Sequence, residues 1–592
     1  MKSLVALNKY IAKYWLSIGV GILCVVLNNY FSIFVPVFVR QGIDDALMKI
    51  QLIHVNQSSI ISNNLIWNAI GFGLAIFLVS ILKGIFLYYT RQTLIVTSRK
   101  IEFDQKNELY HKYQRLGETF FRKNYTGDMM SRISEDISNV RMYIGPSIMY
   151  YANMLFSFVM ILTQMFMVNS YLTMWVLIPL PFLSYSIYKV SDKINRGSKQ
   201  IQEQLSVITT KAQETFAGIR IIKSFGVEEN FAKDFQEAGL EYRKRALDLA
   251  KINALFFPLM ALLMGLSTII VFYVGGREVQ NGRFTAGNVA EFIIYLNMLI
   301  WPVASLGWTT ALVQKAAASQ KRINDFLAEE EYVGEGNQLF KFDNRFTFNQ
   351  ISHQYPGKNH FALENISFDL NKGDFLGVVG KTGSGKSTLL QIITRQLVPS
   401  YGELKIDGIL LNEFDLVDYR NHIAYVPQDV FLFSESIREN ILFGLVDDKM
   451  SPEKIEEKLH QAVRLAHLTE DLEQLPNGIE TIIGERGVSL SGGQKQRLSL
   501  ARALMRDAEI LILDDCLSAV DAHTEKVIID HLRSYSKGKT VVMSTHRIAA
   551  ITQATKILVL SEGKLSAIST HSELLKSNDF YSWLNKNQVE NH

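Results

Sequence analysis

The sequence predicts two unlike halves: an α-helical transmembrane bundle of six spans, then an α/β domain built on a buried parallel sheet. Three observations predict this. Apolar stretches of membrane-crossing length crowd the first half. The loops between them are unequal in Lys and Arg content. In the second half, short apolar runs end in a glycine-rich loop or in aspartate, as parallel strands do where they reach a functional sheet edge.

Size and composition agree with a divided chain. The 592 residues exceed one ordinary domain, and the 48% hydrophobic and 20% charged residues are unevenly distributed along them. A net charge of +3 gives a nucleic-acid partner no electrostatic support. Cys24 and Cys516 lie far apart in dissimilar contexts, so a disulfide framework is not expected and the second half suits a reducing compartment. Lys2, Lys9 and Lys13 precede an apolar run that continues to Val39. A secretory core is only about 7–15 residues long, so this run reads as a membrane span.

Spans begin near Trp15, Leu65, Pro146, Tyr171, Ala254 and Ala290. Val168-Asn169-Ser170-Tyr171 forms a tight turn between the third and fourth. The segments Arg91–Arg141 and Lys189–Lys251 are rich in Lys and Arg, whereas Gln41–Asn64 offers only Lys49. Positive-inside bias therefore puts the N-terminus, both basic segments and, after an even number of spans, the second half in the cytoplasm of a multi-pass protein of the cytoplasmic membrane. Each basic segment is helical with one break, at Phe120–Asp128 and at Phe216-Ala217-Gly218-Ile219-Arg220. These breaks read either as simple connectors or as short helices that dock into the second half, and their context favours docking. Asn28, Asn29, Lys83, Gln164 and Asn297 are polar groups within spans, candidates for substrate contact or for helix-to-helix bonding. The boundaries expected are a membrane domain at 1–325, a linker at 326–340 that includes Glu329-Glu330-Glu331 and Gly334, and a second, α/β domain at 341–592.

The second domain carries its chemistry in order. The apolar run Phe375–Val379 leads into Gly380-Lys381-Thr382-Gly383-Ser384-Gly385-Lys386-Ser387, and a helix follows from Thr388. A glycine-rich loop between strand and helix lets backbone N–H groups wrap phosphates, and the helix N-terminus adds positive potential. Lys386 is placed to reach the β- and γ-phosphates of ATP, and the Ser387 hydroxyl to ligate Mg²⁺. Asp514 ends the run Ile510–Leu513, where a carboxylate can hold the same cation. A further strand, Thr540–Thr545, delivers His546 to that edge. Tyr355, upstream of the loop, suits stacking on adenine.

Leu490-Ser491-Gly492-Gly493-Gln494-Lys495-Gln496-Arg497 opens a second helix and so makes a second anion site. One nucleotide cannot occupy both sites if they face different ways. The simplest arrangement is two such domains head to tail, each closing over the other's ATP.

With these motifs the chain resembles an ABC exporter half-transporter over nearly its whole length; GKTGSGKS and LSGGQ together are highly specific. The resemblance implies that Gln428 senses Mg²⁺ and touches the coupling helices, that Glu485-Arg486-Gly487 is the exporter X-loop, that Ser518-Ala519-Val520-Asp521 is the D-loop and that His546 is the switch histidine. It implies a dimer of half-transporters working on a small amphipathic substrate and in contact with membrane lipid.

One position departs from the family. After the Walker B Asp514 the family carries a glutamate that positions the attacking water; here Asp515 stands, one methylene shorter. A shortfall of over ~1 Å can lower a rate by ~10²-fold. ATP binding is expected to survive and hydrolysis at this site to be slow. The signature is intact, which resembles the degenerate subunit of heterodimeric bacterial exporters with a Glu-bearing partner. Two alternatives stay open: a homodimer in which Asp515 works as the base, and an ATP-binding regulatory subunit without transport. Cargo, whether drug, lipid or peptide, is not legible in the sequence.

Overall fold

The computed structural model describes residues 2–56, 59–331, 336–446, 450–484 and 490–589. The chain divides into two compact units: Met1–Gln114 with Asn124–Glu330, and Arg115–Lys123 with Glu331–His592. Gly334 of the expected linker lies outside the described residues, as does Glu485-Arg486-Gly487.

The first unit is helical. Among the described residues five helices are long and apolar enough to cross a membrane: Trp15–Leu52, Leu65–Arg115, Thr126–Val168, Glu228–Gln280 and Ala286–Leu327. The fourth expected span, from Tyr171, is divided between helices Ser170–Leu177 and Pro179–Ala217. Pro179 has no N–H for the helical ladder, so the break falls at Ile178 and the apolar run is shared between two helices. The expected turn is present: Asn169 is extended and its side chain accepts from the Leu172 N–H at 2.9 Å, capping the following helix. The core gathers Ile161, Met165, Leu172, Val176, Phe292 and Leu299. Helices approach closely where a side chain is missing, since a Cβ on Gly21 would lie 2.6 Å from Leu94. Fully buried Glu291 pairs with Arg40 at 3.1 Å and accepts from the Tyr295 hydroxyl at 3.1 Å, the compensation a charge needs at such depth. At the second expected break, Gly218 ends the long helix and Ile219–Phe225 follows, closed by Gly226 at φ +64°.

The second unit holds two sheets. An antiparallel one contains β1 (Arg345–His353), β2 (Leu363–Asn371), β4 (Tyr401–Ile406) and β5 (Ile409–Leu410), in the order β2-β1-β4-β5. The other contains β3 (Phe375–Gly380), β6 (Ile423–Val426), β7 (Ile510–Asp514), β8 (Thr540–Ser544), β9 (Lys556–Ser561) and β10 (Lys564–Ser569). Its order is β10-β9-β3-β8-β7-β6, parallel except for β10 against β9. Both faces are covered, which explains the unbroken apolar run in β7. Ile510 and Ile512 join the core that includes Leu389, Leu390 and the antiparallel sheet, while Leu511 and Leu513 join the core around Leu498 and Leu504. This topology brings the loops after β3, β6, β7 and β8 to one carboxyl edge, the place where open α/β sheets bind ligands.

Candidate functional site

The loop after β3 is shaped by steric necessity. A Cβ on Gly380 would lie 2.4 Å from the Leu560 carbonyl oxygen. Gly385, at φ +99°, would meet the Ala362 carbonyl at 2.4 Å, so only glycine fits. Lys381, Thr382 and Gly383 are exposed, while Ser384 is buried and its Oγ has no hydrogen-bond partner among the described residues. The helix Lys386–Ile393 starts at the loop's end. The buried Lys386 ammonium donates to the carbonyls of Gly380 at 2.8 Å and Lys381 at 3.1 Å. Burial holds its pKa below the usual lysine range, against the opposing pull of Asp515 and Asp514.

Asp514 is 2% exposed at the end of β7, level with Ser544 of β8, whose hydroxyl donates to it at 2.5 Å. Burial pushes its carboxyl above the usual carboxylate range; hydrogen bonds from Ser544 and Ser387 and the charge of Lys386 oppose this, and Asp515 adds to it. Ser387, Asp514 and Gln428 line one cavity of about 770 Å³, together with Gln391, Tyr425 and Arg122. Hydroxyl, amide and carboxylate oxygens around one space suit a hard cation that completes its octahedron with phosphate and water. Among the described residues no cluster of three or more His, Cys, Asp or Glu competes as a metal site. The open face of Gly383, the unpartnered Ser384 hydroxyl and these oxygens fit a Mg²⁺-bound nucleoside triphosphate.

Asp515 follows in the left-handed region at φ +44°. Its N–H donates to the Ser544 carbonyl at 3.0 Å, and its own carbonyl accepts from the Ser518 hydroxyl at 3.1 Å and Gln496 Nε2 at 3.5 Å. The backbone here is held on both sides. His546 lies two residues beyond β8 and does not line the cavity.

Ser491 caps the helix Gly492–Arg506 in a reciprocal box with Gln494: Ser491 Oγ accepts from Gln494 N–H at 3.2 Å and Gln494 Oε1 from Ser491 N–H at 2.9 Å. Gly492 and Gly493 press on the loop after β7, since a Cβ on Gly493 would lie 2.8 Å from the Ala519 carbonyl. Asp521 is exposed and caps helix Ala522–Tyr535 by accepting from Thr524 N–H at 3.0 Å. Of Ser491, Gly492, Gly493, Gln494 and Asp521, none lines the phosphate-loop cavity.

Tyr355 is half-buried; its hydroxyl meets Thr388 Oγ1 at 3.1 Å, and the Arg122 guanidinium lies 5.1 Å over its ring. Arg122 belongs to the first expected break, and the segment Arg115–Lys123 is part of the second unit. It also donates to Gln391 Oε1 at 3.0 Å and to Glu118 at 2.9 Å.

Sequence reasoning missed three residues. Arg122 was legible only as part of a basic break. Gln496 ties the signature helix to the loop after β7, donating to Ser518 Oγ at 2.9 Å and accepting from Ala519 N–H at 2.9 Å. Arg547 reaches the Ser518 and Val520 carbonyls at 3.3 Å and pairs with buried Glu525. Both are polar side chains beside a motif, and no local pattern announces what they bond.

A multi-span helical unit and a phosphate-loop unit with its cation oxygens gathered at one sheet edge define a membrane ATPase of the transporter class. Residues 18–303 match the family described as ABC transporter transmembrane region, and residues 363–518 the family described as ABC transporter. The chain belongs to the ABC exporter family as a half-transporter, homologous to multidrug exporters. It is 34% identical over 579 residues to the Probable multidrug resistance ABC transporter ATP-binding/permease protein YheI of Bacillus subtilis, covering 97% of this chain and 96% of that one. It is also 34% identical over 511 residues to the Multidrug resistance-like ATP-binding protein MdlA of Escherichia coli, covering 85% of each. The solved structure of a bacterial Atm1-family ABC exporter with ATP bound shares the fold at a TM-score of 0.77 and 20% identity, with 99% of each chain covered. Such exporters bind ATP, typically with Mg²⁺, and act as dimers of half-transporters.

Proposed function

We propose that the chain is one half of a heterodimeric exporter that moves an amphipathic compound (drug, lipid or peptide) from the cytoplasm or inner leaflet outward. Its membrane domain spans residues 1–325 with six spans, its linker 326–340 and its nucleotide domain 341–592; the N-terminus and nucleotide domain are cytoplasmic. The single observation behind the heterodimer is Asp515, a short carboxylate on a backbone held by Ser544, Ser518 and Gln496.

In this reading the loop Gly380–Ser387 cradles the phosphates of ATP, Lys386 turns from its own carbonyls to the β- and γ-phosphates, and Ser387, Asp514 and Gln428 hold Mg²⁺. The bound cation neutralises developing phosphate charge. Tyr355 and Thr388 border the adenine side. Asp515 orients water poorly because it stops short, and His546 contacts the γ-phosphate once the domains close. Ser491, Gly492, Gly493 and Gln494 serve the ATP of the partner, with Asp521 at the junction. Closure on ATP and reopening after hydrolysis drive the first break, through Arg122, and the second, around Gly218, giving alternating access.

The test compares ATP hydrolysis by the purified chain with that of the chain assembled with a Glu-bearing half-transporter. Slow turnover alone and fast turnover in the pair support the proposal. Brisk hydrolysis and transport by the chain unaided overturn it and favour the homodimer with Asp515 as base; binding of ATP without any substrate movement in vesicles favours a regulatory subunit.

A further inference from the structure

We infer that the membrane unit carries a binding site for an anionic amphiphile, with the anion between Lys83 and Arg91. This inference deepens the exporter reading and rests on it. A cavity of about 390 Å³ lies within the helical unit, and Lys83, Arg91, Asn28, Met149, Met298 and Trp301 are among its walls. Among the described residues it holds two cations and no carboxylate. Among the described residues neither Lys83 nor Arg91 has an ion pair or hydrogen bond within the chain. The two lie eight residues apart along one continuous helical run, about 12 Å at 1.5 Å per residue.

The remaining polar groups of the wall are mostly committed. Asn29 Nδ2 donates to the Val25 carbonyl at 2.9 Å and Asn153 Oδ1 at 3.0 Å, Ser32 donates to the Asn28 carbonyl at 2.8 Å, and Thr90 to the Phe86 carbonyl at 2.9 Å. Asn28 is not: it is 8% exposed, and among the described residues its Oδ1 has no hydrogen-bond partner. A buried amide oxygen left open in the same cavity wall as two unpaired cations calls for a ligand head that is both anionic and able to donate a hydrogen bond.

The contrast with Glu291 sharpens the point. That buried charge is neutralised inside the protein by Arg40, whereas half-buried Lys83 and exposed Arg91 have no counter-charge among the described residues. A lysine that merely reaches for the membrane surface needs no polar cavity, yet Lys83 is half-buried in the wall of one, where intramembrane charges mark substrate paths. Met149, Met298 and Trp301 supply the apolar surface on which an alkyl or aromatic body packs.

The test measures equilibrium binding, without nucleotide, to the full-length assembled protein in nanodiscs of zwitterionic lipid. The probes are dodecyl phosphate, dodecylphosphocholine, dodecyltrimethylammonium and inorganic phosphate. Dodecyl phosphate binds about tenfold or more tightly than the zwitterionic and cationic probes, a margin of one good charged contact, and its affinity falls as salt rises. The double variant K83Q/R91Q loses that margin and K83R/R91K keeps it. Equal affinity for all three amphiphiles, a margin insensitive to salt, or a margin unchanged in K83Q/R91Q overturns the inference. Inorganic phosphate binding as tightly as dodecyl phosphate also overturns it, because the site then takes a free anion. Since no ATP is present, failure here leaves the exporter reading and the role of Asp515 untouched, and those stand or fall on ATP hydrolysis.

Discussion

Exchanging Asp515 for Glu lengthens the carboxylate by one methylene at a position where the main chain cannot move to compensate. The Asp515 N–H is bonded to the Ser544 carbonyl and its carbonyl to Ser518 and Gln496, so advancing the backbone by an ångström breaks contacts on both sides of the turn. The missing reach of ~1 Å corresponds to ~10²-fold in rate, or about 2.7 kcal/mol of barrier. Against this stands the φ of +44°, a region that Asp tolerates better than Glu by about 1 kcal/mol. That difference acts on stability and leaves reach unaffected. D515E is therefore predicted to hydrolyse ATP tens of times faster than the wild-type chain, with a slightly lower melting temperature. The assay is phosphate release by each purified full-length variant at saturating Mg²⁺ and ATP, with ATP binding measured in parallel and D515N as the baseline. Equal or slower hydrolysis by D515E with ATP binding intact refutes the reasoning and makes Asp515 the working base.

Other consequences follow from the same geometry. Replacing Gly493 by Ala forces a Cβ to within 2.8 Å of the Ala519 carbonyl and displaces the loop that Gln496 holds; hydrolysis by the assembled dimer should fall by at least about tenfold, while ATP binding at this chain's own loop persists in a filter-binding assay. Arg122→Ala removes the guanidinium from the Tyr355 ring, so if adenine uses that ring face, ATP affinity should rise about threefold, the scale of a half-exposed cation–π contact; unchanged affinity places adenine elsewhere. Because burial raises the Asp514 pKa, proton and Mg²⁺ compete for its oxygens at a higher pH than at an exposed aspartate. Mg²⁺-dependent ATP binding is thus present above that raised pKa and lost as pH falls through it; D514N should lack this step, read as the difference between titrations with and without Mg²⁺.

The sequence was most informative where backbone geometry leaves little choice of residue. The phosphate loop demands glycine at 380 and 385 because neighbouring carbonyls occupy the Cβ positions, and a strand covered on both faces demands the unbroken run Ile510–Leu513. Ser491 was legible for the same reason, since a helix start with Ser followed by Gln at the third helical position is a local rule. Long-range partners were not legible. Nothing in Arg122 or Gln496 names the Tyr355 ring or the Ser518 hydroxyl, because those pairings arise from chain segments brought together only by the fold. The span expected from Tyr171 shows a different limit. Hydropathy from Tyr171 onward is sufficient, but Pro179 divides the stretch between two helices, and a composition window does not register a missing N–H.

The central claim, that this chain lends its signature while its own Walker site idles, is tested most directly by two single changes made separately in this chain within the assembled pair. The account predicts that S491A lowers ATP hydrolysis of the pair by at least about tenfold while D515N leaves it within about twofold. A pair that tolerates S491A and is crippled by D515N contradicts it.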